Sequence, residues 1–319
     1  MSINITFRNK LPPVIKSSLA NVEKPYLKGH SQPLPKKNRT LHNNDNNQDY
    51  KIEDLLKELN DMIGLDKVKK FVHELQAFVE IQKKREQENL LAEPLVLHMV
   101  FSGNPGSGKT TVARIVGKLL KELGVLQKGH IMECERADLV GEYIGHTANK
   151  TRDMVKKALG GVLFIDEAYS LARGGEKDFG KEAIDSLVKA MEDHRDNLIL
   201  ILAGYRLEME KFIQTNPGLR SRFPIHINFP DYTIDELVAI GELMLNKREY
   251  EFLPEARLAF KRMIQNMNFL HPYSGNARMI RNIIEKTIRK QAVRLYNSKN
   301  LSREDLIYIK EIDLCNDEI

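Results

Sequence analysis

Eight consecutive residues carry most of the chemical information in this chain: Gly103-Asn104-Pro105-Gly106-Ser107-Gly108-Lys109-Thr110. They fit the pattern G-x-x-x-x-G-K-[ST], followed by Thr111. Glycines permit φ > 0 and present no Cβ, so successive backbone N–H groups can close on phosphate oxygens. Lys109 would set a cation against the β- and γ-phosphates, and the Thr110 hydroxyl is a hard oxygen donor suited to Mg²⁺. The motif needs a strand before it and a helix after it. Both are present in pattern: Val96 to Phe101 is apolar apart from His98, and Val112, Ile115, Val116, Leu119, Leu120 and Leu123 recur at helical spacing. The start of that helix adds favourable partial charge for an anion. A second group lies at Asp166-Glu167, which ends the apolar run Val162-Leu163-Phe164-Ile165. Ligands of open α/β sheets sit beyond the carboxyl ends of the strands. Asp166 is placed there to hold Mg²⁺, through water, and Glu167 to polarise an attacking water. A glutamate in that place points to hydrolysis of a nucleoside triphosphate rather than to binding alone.

These residues need a frame. Short runs rich in Val, Ile and Leu occur at 96–102, 130–134, 161–165 and 198–203, with a fifth at 226–229, and amphipathic stretches lie between them. Short buried strands alternating with helices predict a parallel sheet covered on both faces. Two helices are predicted upstream, at about 51–61 and 65–88, from the spacing of Leu55, Leu56, Leu59, Met62 and Ile63 and of Val68, Phe71, Val72, Leu75, Phe78 and Val79. After Pro230 the strand pattern stops, and 233–247, 254–268, 276–296 and 303–308 are predicted as helices, with Asp231 and Thr233 as candidate caps of the first. The fold class predicted is α/β, a three-layer sandwich around a parallel sheet followed by a small α-helical domain. The domains predicted are a disordered basic tail at 1–49, an α/β nucleotide-binding domain with its N-terminal helices at 50–230, and a helical domain at 231–319.

Charge narrows the range of partners. The chain of 319 residues has a formal net charge of +5, but residues 1–49 hold eight Lys/Arg against three acids, so the remaining 270 residues are neutral in sum. A basic folded surface for nucleic acid is therefore not indicated. The tail carries Pro12, Pro13, Pro25, Pro33 and Pro35 and keeps no helical or strand period, so disorder is expected, with a tethering arm or partner-binding segment as the alternative. No apolar run approaches the ~20 residues that span a bilayer. The two cysteines, Cys134 and Cys315, make no disulfide framework. A soluble cytoplasmic protein is the expectation. His130 and Cys134, four residues apart on one predicted strand, have no third partner at metal-ligand spacing.

Several further stretches carry a resemblance. The phosphate loop, the Asp166-Glu167 strand and a helical lid in this order resemble the AAA+ ATPases. Ile63-Gly64-Leu65 with Val68-Lys69, Ala137 to His146, Phe164 to Gly175, Ala203-Gly204-Tyr205 and Asn216 to Phe223 resemble the CbxX/CfxQ family within them. The likeness covers about residues 51–315 and is strongest to the sporulation members of that family, which also contains red-type rubisco activases. It implies that Ile63 and Gly64 border the adenine, that Gly103 to Thr110 is the Walker A loop and Asp166 with Glu167 the Walker B pair. Arg222 would be an arginine finger offered to a neighbouring subunit, with Arg220 as the competing candidate, and Arg278 the sensor 2 residue of the lid. Tyr143-Ile144-Gly145 would be a pore loop that grips a polypeptide. Where many AAA+ proteins place an asparagine as sensor 1, this chain has Tyr205, which fits the Ala-Gly-Tyr pattern of the CbxX/CfxQ family. The resemblance implies ATP and Mg²⁺ as ligands, a homo-hexameric ring, a protein client that the sequence leaves unidentified, and a role in spore formation. Rubisco activation and a nucleic-acid-directed loader are the alternative functions, and a nucleotide-switched scaffold with negligible turnover is a third.

Overall fold

Five short strands pair side by side as a parallel sheet in the computed structural model, which describes residues 45–91, 96–143, 145–174, 178–270, 275–296, 298 and 300–314. In chain order the body contains α1 (Asp45–Asn60), α2 (Asp66–Gln87), β1 (Met99–Ser102), α3 (Lys109–Glu122), β2 (Ile131–Cys134), α4 (Arg136–Leu139) and α5 (His146–Ala158). It continues through β3 (Val162–Ile165), a 3-10 turn at Ala168–Ala172, α6 (Gly180–Asp193), β4 (Ile199–Gly204), α7 (Arg206–Thr215), α8 (Pro217–Arg222) and β5 (Ile225–Asn228). The strand order is β2-β3-β4-β1-β5, all parallel, with Met99 opposite Ile201 and Ile225, and Val162 opposite Ile131 and Ile199.

Successive strand residues point to opposite faces, and the core divides accordingly. Met99, Phe101, Phe164, Ile199 and Ile201 pack with α1, α2 and α3 in one cluster. Val100, Leu163, Ile165, Leu200 and Leu202 pack with α5, α6 and α7 in the other. All four residues of β3 are buried, as expected of a strand covered on both sides. This bilateral cover holds β1, β3 and β4 rigid, and the loops that leave their carboxyl ends are Gly103–Gly108, Asp166–Glu167 and Tyr205.

The second domain contains α9 (Ile234–Asn246), β6 (Glu251–Phe252), α10 (Pro254–Leu270), α11 (Asn276–Tyr296), α12 (Arg303–Ile307), β7 (Tyr308–Ile309) and a 3-10 turn at Glu311–Leu314. Thr233 caps α9 in a capping box with Glu236. Its core residues Phe260, Ile264, Ile280 and Ile284 belong to the same cluster as the α1–α3 side of the sheet, so the two domains share one apolar interior.

Three expectations are corrected. Helix α1 begins at Asp45, not at 51, so residues 45–49 belong to a helix and not to the tail. The polar run over residues 42–48 has no apolar period that could mark that start. The rest of the tail, residues 1–44, lies outside the described residues. The second domain is helical as expected, with one short parallel pair, β6 and β7, added to its helices. Two residues each are too few to show a period of two. Tyr308 therefore leaves the predicted helix 303–308 and joins β7. Asp231 does not cap α9; it accepts hydrogen bonds from Asn104 and Asn276 instead.

Candidate functional site

A cleft of about 360 Å³ opens between the carboxyl edge of the sheet and the helical domain. Its floor is the phosphate loop. Gly106 and Gly108 have φ of +73° and +96°, conformations that side-chain-bearing residues rarely adopt. Gly106 also lacks room: a Cβ there would lie 2.2 Å from the Gly275 carbonyl oxygen. Helix α3 starts immediately after Gly108 and has no side-chain cap, which leaves its first-turn N–H groups for a ligand. Lys109 donates to the carbonyl oxygens of Gly103 at 2.8 Å and Asn104 at 2.9 Å. Burial pushes the Lys109 ammonium below its ordinary pKa, and the Asp166 carboxylate opposes that shift. A phosphate would supply Lys109 with the counter-charge that burial makes favourable.

The wall of the cleft is the end of β3. Glu167 has φ +46° and ψ +41°, a left-handed turn that costs a non-glycine residue about 1 kcal/mol or more. The turn ends the strand and lets both Asp166 and Glu167 line the cleft. One oxygen of Asp166 accepts from the Glu167 N–H at 2.9 Å, which fixes the carboxylate beside the end of the phosphate loop. Thr110 and Asp166 supply a hydroxyl and a carboxylate oxygen, hard donors of the type that Mg²⁺ takes from proteins when phosphates and water complete its shell. The residues present therefore fit both a triphosphate and Mg²⁺.

Tyr205 stands at the end of β4 and lines the same cleft. Its ring lies 6.1 Å from that of Tyr169. Burial first, and then the neighbouring Glu167 carboxylate, push the Tyr169 hydroxyl up to about 12. Gly204 is required here, since a Cβ would fall 2.7 Å from Tyr169 Cδ1.

Ile63 and Met62 close one end of the cleft, and Arg278 and Arg281 of α11 roof it. Gly64 sits behind this wall with φ +61°, and a Cβ would meet Glu236 Oε1 at 2.3 Å. Of the expected binding residues, Ile63, Gly103, Pro105, Gly106, Gly108, Lys109, Thr110, Thr111, Tyr205 and Arg278 line the cleft with Asp166 and Glu167. Asn104 and Ser107 do not, for their side chains bond elsewhere: Asn104 to Asp231, and the Ser107 hydroxyl to the Asn104 carbonyl at 2.7 Å. Sequence reasoning missed Tyr232, Ile240, Leu243, Met244 and Arg281 on the domain-two side. Arg281 was findable, since it stands three residues after Arg278 and so on the same helix face. The apolar residues of α9 carry no signal that separates a cleft wall from a core face.

Arg222 and Tyr143 are not brought into this cleft. Arg222 ends α8, pairs with Glu192 and donates to the Gly218 carbonyl at 3.2 Å. Arg220 is exposed. Tyr143 is 65% exposed, which settles it as a surface aromatic and not a core one; its ring meets His146 edge-on at 5.4 Å. Gly145 has φ +80° and open space around it. Ile144 lies outside the described residues. His130 precedes β2 and bonds the Lys157 carbonyl, while Cys134 is buried and pushed up to about 12 by burial.

With this geometry in view, likeness to known proteins becomes specific. The ATPase family associated with various cellular activities (AAA) matches residues 99–231, and the AAA lid domain matches residues 233–318. Stage V sporulation protein K of Bacillus subtilis is 52% identical over 265 residues, covering 82% of each chain. The chain belongs to the CbxX/CfxQ family of AAA+ ATPases. Protein CfxQ of Xanthobacter flavus is 46% identical over 82% of this chain and 84% of its own. The chloroplastic ribulose bisphosphate carboxylase/oxygenase activase of Cyanidioschyzon merolae is 43% identical over 84% of this chain and 92% of its own. Among solved structures, a variant of Thermotoga maritima RuvB shares the fold with a TM-score of 0.53 at 21% identity, covering 80% of this chain and 69% of that one. The AAA+ protein is thus an ATP-hydrolysing enzyme built as an α/β body with a helical lid. Among the described residues, no helix is long and apolar enough to cross a membrane.

Proposed function

We propose that this ATPase works as a homo-oligomeric ring, a hexamer by family likeness, that remodels a protein client in the cytoplasm, with spore formation as the process. Residues 45–230 are the nucleotide-binding body and 231–319 the lid that closes on it. The N–H groups of Gly106, Gly108, Lys109, Thr110 and Thr111 hold the phosphates of ATP. Lys109 neutralises the transferring phosphoryl group and Glu167 accepts a proton from the attacking water. Thr110 and Asp166 hold Mg²⁺, which when bound offsets charge on the β- and γ-phosphate oxygens. Ile63 and Gly64 border the base. Arg278 reaches the γ-phosphate from the lid, and Tyr205, packed on Tyr169, orients the region where water attacks.

The observation that carries the ring reading is the contrast between two arginines. Arg278 lines the cleft of its own chain, whereas Arg222 stands outside it at the end of α8. An arginine finger supplied in trans raises phosphoryl-transfer rates by ~10³–10⁵, and the position of Arg222 outside its own cleft supports that role for it. Exposed Tyr143, followed by the unobstructed Gly145, then supplies an aromatic grip for a client polypeptide with Ile144. The neutral charge balance of residues 50–319 disfavours the loader reading. Rubisco activation remains the second reading, carried by the likeness to the chloroplastic activase; the higher identity to the sporulation protein favours spore formation.

The test is mass by light scattering on Glu167→Gln with ATP, beside wild-type turnover measured against protein concentration. A ring whose specific activity rises steeply with concentration is expected. A monomer with concentration-independent turnover refutes the trans finger.

A further inference from the structure

The lid touches the phosphate loop through a polar cluster that the catalytic groups do not use. Asn276, the first residue of α11, is fully buried and has φ +45°, a left-handed conformation that asparagine tolerates better than other side-chain-bearing residues. Its carboxamide is fully engaged. Nδ2 donates to Asp231 Oδ1 at 2.7 Å and to the Pro105 carbonyl at 3.3 Å, and Oδ1 accepts from the Tyr232 N–H at 3.1 Å. Asp231 accepts in turn from Asn104 Nδ2, at 3.0 Å to Oδ1 and 2.8 Å to Oδ2. Beside this cluster the Ala277 N–H donates to the Gly106 carbonyl at 3.2 Å, and the Tyr232 hydroxyl to the Ser107 carbonyl at 3.4 Å.

The carbonyls of Pro105, Gly106 and Ser107 are thus held by three donors that all come from beyond the body of the domain. In a trans peptide the N–H points opposite to the C=O. Holding these three carbonyls against the lid turns the N–H groups of Gly106, Ser107 and Gly108 away from it; that of Ser107 donates to the Asn104 carbonyl at 3.4 Å, and those of Gly106 and Gly108 are turned towards the interior of the loop where phosphate oxygens would lie. Without these contacts the loop's glycines would leave the peptide planes free to rotate, and ordering them would be charged against nucleotide binding.

We propose that Asn276 and Asp231 form a latch through which the lid orients the phosphate-loop amides, making both of them positioning residues for nucleotide. The latch also fixes the start of α11, two residues before Arg278. Lid angle and loop geometry are then one variable: opening the lid withdraws Arg278 and disorders the amides together. This inference rests on the nucleotide reading of the cleft.

The experiment measures the dissociation constant of a fluorescent ADP analogue on the full chain, with Lys109→Ala as the marker of the cleft itself. Asn276→Ala should bind about tenfold more weakly, the equivalent of losing one net hydrogen bond of ~1.4 kcal/mol. Asn276→Asp should bind more weakly still, since a second carboxylate then faces Asp231 and the Pro105 carbonyl. Adding Asp231→Asn to Asn276→Asp should recover most of that loss by restoring one carboxylate opposite one carboxamide. A merely structural role predicts no such rescue. Asn104→Ala removes an exposed contact to the same Asp231 and should cost about threefold, which keeps the test decisive if the buried variants do not fold. Binding by Asn276→Ala or Asn104→Ala equal to wild type, or a double variant no better than Asn276→Asp, overturns the latch while a defective Lys109→Ala leaves the cleft reading intact. Wild-type binding by Lys109→Ala overturns both.

Discussion

His98 stands immediately before β1 and is 4% exposed. Its Nδ1 accepts a hydrogen bond from the Leu200 N–H at 3.0 Å, and its ring lies 5.8 Å from that of Phe223, the residue after Arg222. A protonated imidazole would lose that acceptor and bury a charge. Burial accordingly lowers its pKa from 6.5 to about 4. Above pH 6.5 both the folded and unfolded chains hold neutral His98, and stability is unaffected. As pH falls below 6.5 the unfolded chain takes up a proton that the folded chain refuses, so stability declines; below pH 4 the folded chain is protonated as well and the decline ends. Each pKa unit is worth ~1.4 kcal/mol, so the interval corresponds to a loss of about 3 kcal/mol. That is a large share of the ~5–15 kcal/mol that holds an ordinary domain together. The assay is urea unfolding followed by far-UV circular dichroism, since the chain has no tryptophan, at intervals from pH 8 to pH 4, on wild type and His98→Gln. Glutamine keeps an acceptor and does not titrate. The wild-type curve should fall relative to the variant by about 3 kcal/mol across this range, because carboxylates common to both cancel in the difference. Parallel curves would refute the argument, and with it the view that the β1–β4 contact and the base of α8 share an acid-sensitive joint.

The remaining predictions concern the catalytic groups. Glu167→Gln should still bind ATP but lose turnover by ~10²–10⁴, the range for a general base, as read by phosphate release; undiminished release removes Glu167 from that role. Arg222→Ala should bind ATP and lose turnover by ~10³ or more, and mixing it with Glu167→Gln subunits should restore part of the rate if fingers act in trans; mixtures as inactive as their components count against the trans arrangement. Gly204→Ala, which places a Cβ 2.7 Å from the Tyr169 ring, should lower stability by ~1–3 kcal/mol as an overpacked core position does, seen as a fall in the midpoint of thermal unfolding.

The difference between what was legible in the sequence and what was not follows from the range of the interactions involved. The phosphate loop and the Asp166-Glu167 pair are local motifs whose chemistry is fixed by adjacent residues, and the apolar runs around them specify the strands that hold them. Strand order is different. Nothing local says that β4, made of residues a hundred positions away, inserts between β3 and β1; that arrangement follows from burying Met99, Phe101 and Ile201 on one face and Val100, Leu200 and Leu202 on the other. The lid side of the cleft was the least legible part. Asp231 reads as a helix cap because aspartate before a Thr-x-x-Glu box is a common cap neighbour, yet Thr233 already satisfies the box and frees Asp231 to bridge Asn104 and Asn276. A short-range rule was met by one residue, and the neighbour it released took a contact spanning more than forty positions. The same logic explains Arg222. Its type and place before β5 suggest a finger, but within the single chain its guanidinium is taken by Glu192 and the Gly218 carbonyl. An exposed ion pair of this kind contributes little, so under the proposed trans-finger role exchanging Glu192 for a neighbour's γ-phosphate would cost little.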